Sequence, residues 1–81
     1  MILKRLGPDP HHNGAVSKGA RGCPDLFESQ TTGDFVVIGR DATDELMKHL
    51  PPSASCGPDE RIVVIPRKTL ILAKPDIPDS P

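Results

Sequence analysis

Phe35-Val36-Val37-Ile38 and Ile62-Val63-Val64-Ile65 decide the fold of this 81-residue chain. Successive side chains of a strand point to opposite faces, so a strand apolar at every position offers apolar groups to both sides of its sheet. A chain this short has little else with which to cover two faces. The two runs point to a protein whose surface is bound, by a copy of itself or by a partner.

Outward from Phe35, Thr31-Thr32-Gly33-Asp34 reads as a turn, its glycine free to take a positive φ. Before it, residues 25–29 form a first strand with Leu26 and Phe27 as apolar content, and residues 35–39 follow as a second. Together they predict a β-hairpin. Asp41 opens a helix, with Asp44 and Glu45 in its first turn, where the dipole favours anions. Leu46, Met47 and Leu50 give it one apolar stripe, and Pro51-Pro52 ends it. About two turns long, it needs the sheet to pack on.

Ser53 to Glu60 is a polar loop, and residues 61–65 form the third strand, broken by Pro66. Residues 67–74 fit either a short helix, with Pro66 near its first position, or a strand through Thr69-Leu70-Ile71-Leu72; a short helix or turn is the reading adopted. Pro75, Pro78 and Pro81 mark residues 75–81 as a Pro-rich, extended tail.

Residues 1–22 hold four of the seven glycines, the breakers Gly7-Pro8 and Asn13-Gly14, and only scattered aliphatics, so they read as a flexible arm. The arm is basic: Lys4, Arg5, Lys18 and Arg21 stand against Asp9, whereas residues 23–81 carry six basic and ten acidic side chains. A basic arm on an acidic domain raises nucleic-acid binding as the alternative function. Two phenylalanines with no Trp or Tyr leave almost nothing for bases to stack on. No eighteen-residue apolar run exists, so no membrane span is expected. Met1-Ile2-Leu3-Lys4-Arg5-Leu6 lacks the longer apolar stretch of a secretory signal, which makes the cytoplasm the expected compartment.

Chemistry-bearing residues are few. His11, His12, Cys23 and Cys56 have zinc-ligand types without zinc-ligand spacing. Cys23 and Cys56 could bridge, but a cytoplasmic chain keeps thiols reduced. No histidine is placed to activate either thiol, Asp41 and Asp44 are explained by helix capping, and Gly33 and Gly39 bracket a strand instead of forming a phosphate loop. The expectation is a non-enzyme with no cofactor and no metal. Arg40, Arg61, Arg67 and Lys68 could gather into a basic spot, and with Val36 and Val37 they are the candidate partner contacts.

Gly22-Cys23-Pro24-Asp25-Leu26, Gly33-Asp34-Phe35-Val36-Val37-Ile38-Gly39-Arg40-Asp41 and Glu60-Arg61-Ile62-Val63-Val64-Ile65-Pro66-Arg67-Lys68-Thr69-Leu70 resemble short actinobacterial proteins without an assigned role. More distantly, the order of cysteine, strand, apolar strand ending Arg-Asp, strand and short helix is similar to the family of the Streptomyces developmental regulator BldB. Members of that family are often encoded beside helix-turn-helix regulators; the resemblance implies action by association rather than catalysis, and carries over no functional residue.

The expected fold is a small α+β domain over residues 23–74, a three-stranded antiparallel sheet with one short helix packed on it and a short C-terminal helix or turn. The expected function is that of a regulatory or accessory protein-binding module. It would act through an apolar sheet face, by dimerisation or by association with a transcription regulator or an enzyme.

Overall fold

The structure, a computed structural model, describes residues 1–9 and 23–81. Strand β1 (Leu3–Arg5), β2 (Asp25–Ser29) and β3 (Phe35–Ile38) form an antiparallel sheet in the order β1-β2-β3. After Gly39 the chain continues as β4 (Arg40–Asp41), then α1 (Thr43–Leu46), which runs into a 3-10 turn at Met47–His49. Strand β5 (Val63–Val64) pairs antiparallel with β4 as a separate two-stranded ribbon. Helix α2 (Arg67–Ala73) follows Pro66 and ends in a 3-10 turn at Lys74–Asp76.

The β2–β3 hairpin forms where expected, with Leu26 opposite Val37 and Phe27 opposite Val36. Gly33 takes φ +83° with open space around it, so the backbone angle and not crowding calls for glycine. The buried Ser29 fixes the turn: its Oγ accepts from the N–H groups of Thr31 (3.2 Å) and Thr32 (3.1 Å). Residues 67–73 are helical, as the Pro66 reading favoured.

Three expectations are corrected. First, the third strand of the sheet is Leu3–Arg5, not residues 61–65. Pairing sets Lys4 opposite Glu28 and Arg5 opposite Phe27. Arg5 then locks β1 down: Nε and Nη2 reach the Asp25 carboxylate at 3.2 and 2.9 Å, and the guanidinium lies 5.3 Å from the Phe27 ring centre. The Asp25 hydrogen bond, with the charges of Asp25 and Asp9, holds the Arg5 pKa above its ordinary value. Leu6 is buried, so the start of the expected flexible arm belongs to the folded unit; residues 10–22 of that arm lie outside the described residues.

Second, residues 61–65 contribute only Val63–Val64 as strand, because β4 is two residues long before α1 begins and Pro66 closes the other end. The pairing continues through Ala42 N–H to Ile62 O (2.8 Å) and Ile62 N–H to Thr43 Oγ1 (2.8 Å). Third, the helix that packs on the sheet is α2, not the one begun at Asp41. Leu6, Leu26 and Ala73 make the buried core, with Ile65 and Ile77 packed against it. Ile77 and the Asp76 carboxylate, which accepts from Gly7 N–H at 2.8 Å, bring part of the expected tail into the fold. At Gly7 (φ +78°) an added Cβ would stand 3.1 Å from the Ala73 backbone, so the two chain ends close on one another there.

The result is a three-stranded antiparallel sheet with two short helices, an α+β domain with a very small core.

Candidate interaction surface

Three backbone hydrogen bonds establish which way each strand residue faces. Ser29 N–H donates to Asp34 O (2.7 Å), Leu6 N–H to Leu26 O (2.9 Å) and Gln30 N–H to Ile2 O (2.8 Å). Asp25, Phe27 and Ser29 therefore use their backbone groups towards β3, and Leu26 and Glu28 towards β1. By register, Val36 and Ile38 turn their amides to β2, while Phe35 and Val37 turn theirs away from the sheet.

Side chains alternate the other way. Leu26, Phe35 and Val37 share the face on which α2 lies; Leu3, Arg5, Phe27, Val36 and Ile38 share the opposite face. The two candidate contacts Val36 and Val37 thus stand on different faces. Val36 is half-buried and Val37 exposed. Around them Phe35 is 50% and Ile38 47% exposed, so β3 shows apolar groups on both faces and at its outer edge.

Helix α2 adds a second apolar surface. Only Thr69 and Ala73, one turn apart, are buried, and Leu70, Ile71 and Leu72 are all exposed. Three consecutive apolar residues span most of a helical turn, so they cannot all face one side. That triplet was the available sequence signal, and it was missed because the segment was not firmly assigned to a helix. Phe35 and Ile38 were missed as contacts for a different reason: nothing local states which of four apolar residues a small core leaves uncovered.

The basic spot is not assembled as four free cations. Arg40 Nη1 pairs with Glu45 Oε1 at 2.6 Å, and Arg61 Nη2 with Asp41 Oδ2 at 2.9 Å. Arg67 and Lys68 open α2 and are exposed, and among the described residues their side chains make no hydrogen bond or ion pair. Asp41 is the hub of the α1 start: Oδ1 accepts from Thr43 N–H (3.0 Å) and Thr43 Oγ1 (2.7 Å), and Oδ2 from Arg61 Nε (3.1 Å). The Thr43 hydroxyl, the Thr43 amide and Arg61 together lower the Asp41 pKa from an ordinary 3.8 to about 2. Asp41 does not open the helix as expected: α1 begins at Thr43 with Ala42 at its N-cap, and Asp41, one residue earlier, satisfies the first helical amide, that of Thr43.

Between the two ladders lies a groove of about 570 Å³, lined by Pro24, Ile38, Gly39, Arg40, Val64 and Pro66. Gly39 makes the seam, since a Cβ there would meet Val64 O and Ile65 Cγ2 at 2.8 Å. The groove has apolar walls and one guanidinium, chemistry that suits an apolar side chain better than a polar substrate. Cys23 and Cys56 are not bridged to one another; Cys23 is buried, and Cys56 Sγ lies 3.3 Å from Glu60 O. Among the described residues no three His, Cys, Asp or Glu side chains are placed to hold a metal ion; His11 and His12 lie outside them. Among the same residues no helix is long and apolar enough to cross a membrane.

Comparison with protein-family models, with curated proteins and with solved structures returns no match.

Proposed function

We propose that this chain is a non-enzymatic regulatory or accessory module that binds protein, a second copy or a partner such as a transcription regulator or an enzyme, in the cytoplasm. The observation that carries the reading is the balance of apolar side chains. Leu6, Leu26 and Ala73 form the buried core, while Leu3, Phe35, Val37, Ile38, Leu70 and Ile71 stand exposed. Isolated exposed aliphatics are ordinary on a soluble protein. Three of the four residues of a strand together with the outer side of a helix are not, because apolar patches beyond a few hundred Å² mark interaction sites. The regulatory role is what the resemblance to small actinobacterial proteins implies.

Direct nucleic-acid binding has less support. Of the cations that reading relies on, Arg5, Arg40 and Arg61 are engaged by Asp25, Glu45 and Asp41 of the same chain. Affinity capture from the native host with wild type and Val36→Lys tests the reading. Val36 is half-buried on the face away from α2. The lysine is expected to abolish capture of a specific protein and to lower the melting temperature by only a few degrees. Equal capture by both forms, or capture of nucleic acid that salt releases, overturns it.

A further inference from the structure

The two edges of the sheet are treated differently. Strand β1 is three residues long and carries Lys4 and Arg5, the charged side chains with which proteins keep an edge from pairing. Strand β3, the opposite edge, carries Phe35-Val36-Val37-Ile38 and no charge, proline or bulge. Its outward amides belong to Phe35 and Val37, which are 50% and 40% exposed. An apolar strand with free backbone donors and acceptors on one side is a template for another strand.

We infer that the occupant is the β3 strand of a second copy, added antiparallel about a two-fold axis at Val37. This rests on the protein-binding reading and names its partner. Charge selects both the partner and the register. Asp34 precedes β3 and Arg40 follows it, so the strand has an acidic and a basic end. Antiparallel self-pairing brings each acidic end to the basic end of the other copy. With Val37 opposite Val37 of the partner subunit, Asp34 falls opposite Arg40 of the partner subunit and Val36 opposite the partner's Ile38. Moving the axis to Val36 instead sets Asp34 opposite the partner's Ile38, leaving the carboxylate against an apolar side chain.

The backbone accepts this register. Outward-facing Val37 exchanges both N–H···O=C bonds with its counterpart, as a hydrogen-bonded antiparallel pair does, and Phe35 pairs with the partner's Gly39. Val36 and the partner's Ile38 form a close apolar pair on the face shared with Phe27, a type of cross-strand contact that stabilises sheets. Arg40 gives only Nη1 to Glu45, and a guanidinium has donors left for the partner's Asp34. Two three-stranded sheets become one continuous six-stranded sheet.

Sedimentation equilibrium on the full chain tests this with the wild type and four variants, one of them the Val36→Lys form introduced above. The wild type is expected to reach twice the monomer mass as its concentration rises. Val37→Pro removes an N–H that bonds nothing within its own sheet, so it should leave a folded monomer. Asp34→Arg sets two like-charged pairs across the axis and should weaken association about tenfold. Adding Arg40→Asp to it recreates both opposite-charge pairs and should restore the dimer. Circular dichroism of each variant reports folding. If Val37→Pro unfolds the chain, the charge pair alone decides.

A wild type that stays monomeric at millimolar concentration overturns the inference, as does a dimer unmoved by Asp34→Arg. A dimer unmoved by Asp34→Arg but dissolved by Val36→Lys overturns edge pairing while keeping the protein-binding face. A monomer that still captures a specific host protein through Val36 likewise removes only the second copy.

Discussion

Asp41 shows how much one side chain organises in so small a chain. It caps the turn into α1 through Thr43 and ties that turn to the β5 side through Arg61. Its charged form is favoured, with a pKa near 2 in place of 3.8. A carboxylate whose pKa is lower in the folded than in the unfolded chain contributes stability above its unfolded value. That contribution is complete above about pH 4 and disappears as the pH falls through about 2. A carboxyl-carbon NMR titration should find Asp41 protonating near pH 2, and Thr43→Val should move it back towards 3.8. An Asp41 that titrates at 3.8 in the wild type contradicts this wiring. The pair was half legible in the sequence: Asp-x-Thr before an acidic first turn announces a cap, but Arg61 could be joined to Asp41 only through the β4–β5 register.

Elements were legible where the signal is local. The β2–β3 hairpin follows from a glycine turn between apolar runs, and α2 from Pro66 ahead of an apolar stretch. Strand β1 was not legible, because three residues with two cations have neither alternation nor length, and the partner strand begins twenty residues later. Pairing at that separation is decided by tertiary contacts that local propensity does not contain. The glycines and prolines that follow made the whole stretch look like an arm. The difference has a consequence for truncation. Leu6 and Ala73 are the most deeply buried parts of the core cluster, so Leu6→Ala should cost about 2–5 kcal/mol, a large part of a small domain's total stability. Removal of residues 1–6 should therefore leave a chain without a cooperative thermal transition by circular dichroism. An unchanged melt after that deletion contradicts the placement of β1 in the sheet.

For the molecule as a whole, sequence and structure meet on one point: the apolar residues outnumber the places available to bury them. The two four-residue runs raised it, and only their expected membership of one sheet is corrected. They sit in different ladders, β3 on the edge of the sheet and β5 on a two-residue ribbon. Neither is covered on both sides, and Val63 and Val64 are exposed as well. Of the candidate contacts, Val36 and Val37 fall on that open strand, whereas the ion pairs of Arg40 and Arg61 depended on packing that no local pattern reveals. The most direct measurement is amide hydrogen exchange along β3 as a function of protein concentration. The exchange of Phe35 and Val37, whose amides face outward, should slow as concentration rises. Val36 and Ile38, already bonded to β2, should change little. Fast, concentration-independent exchange at Phe35 and Val37, in a chain that remains folded, would contradict the claim that β3 is a binding edge.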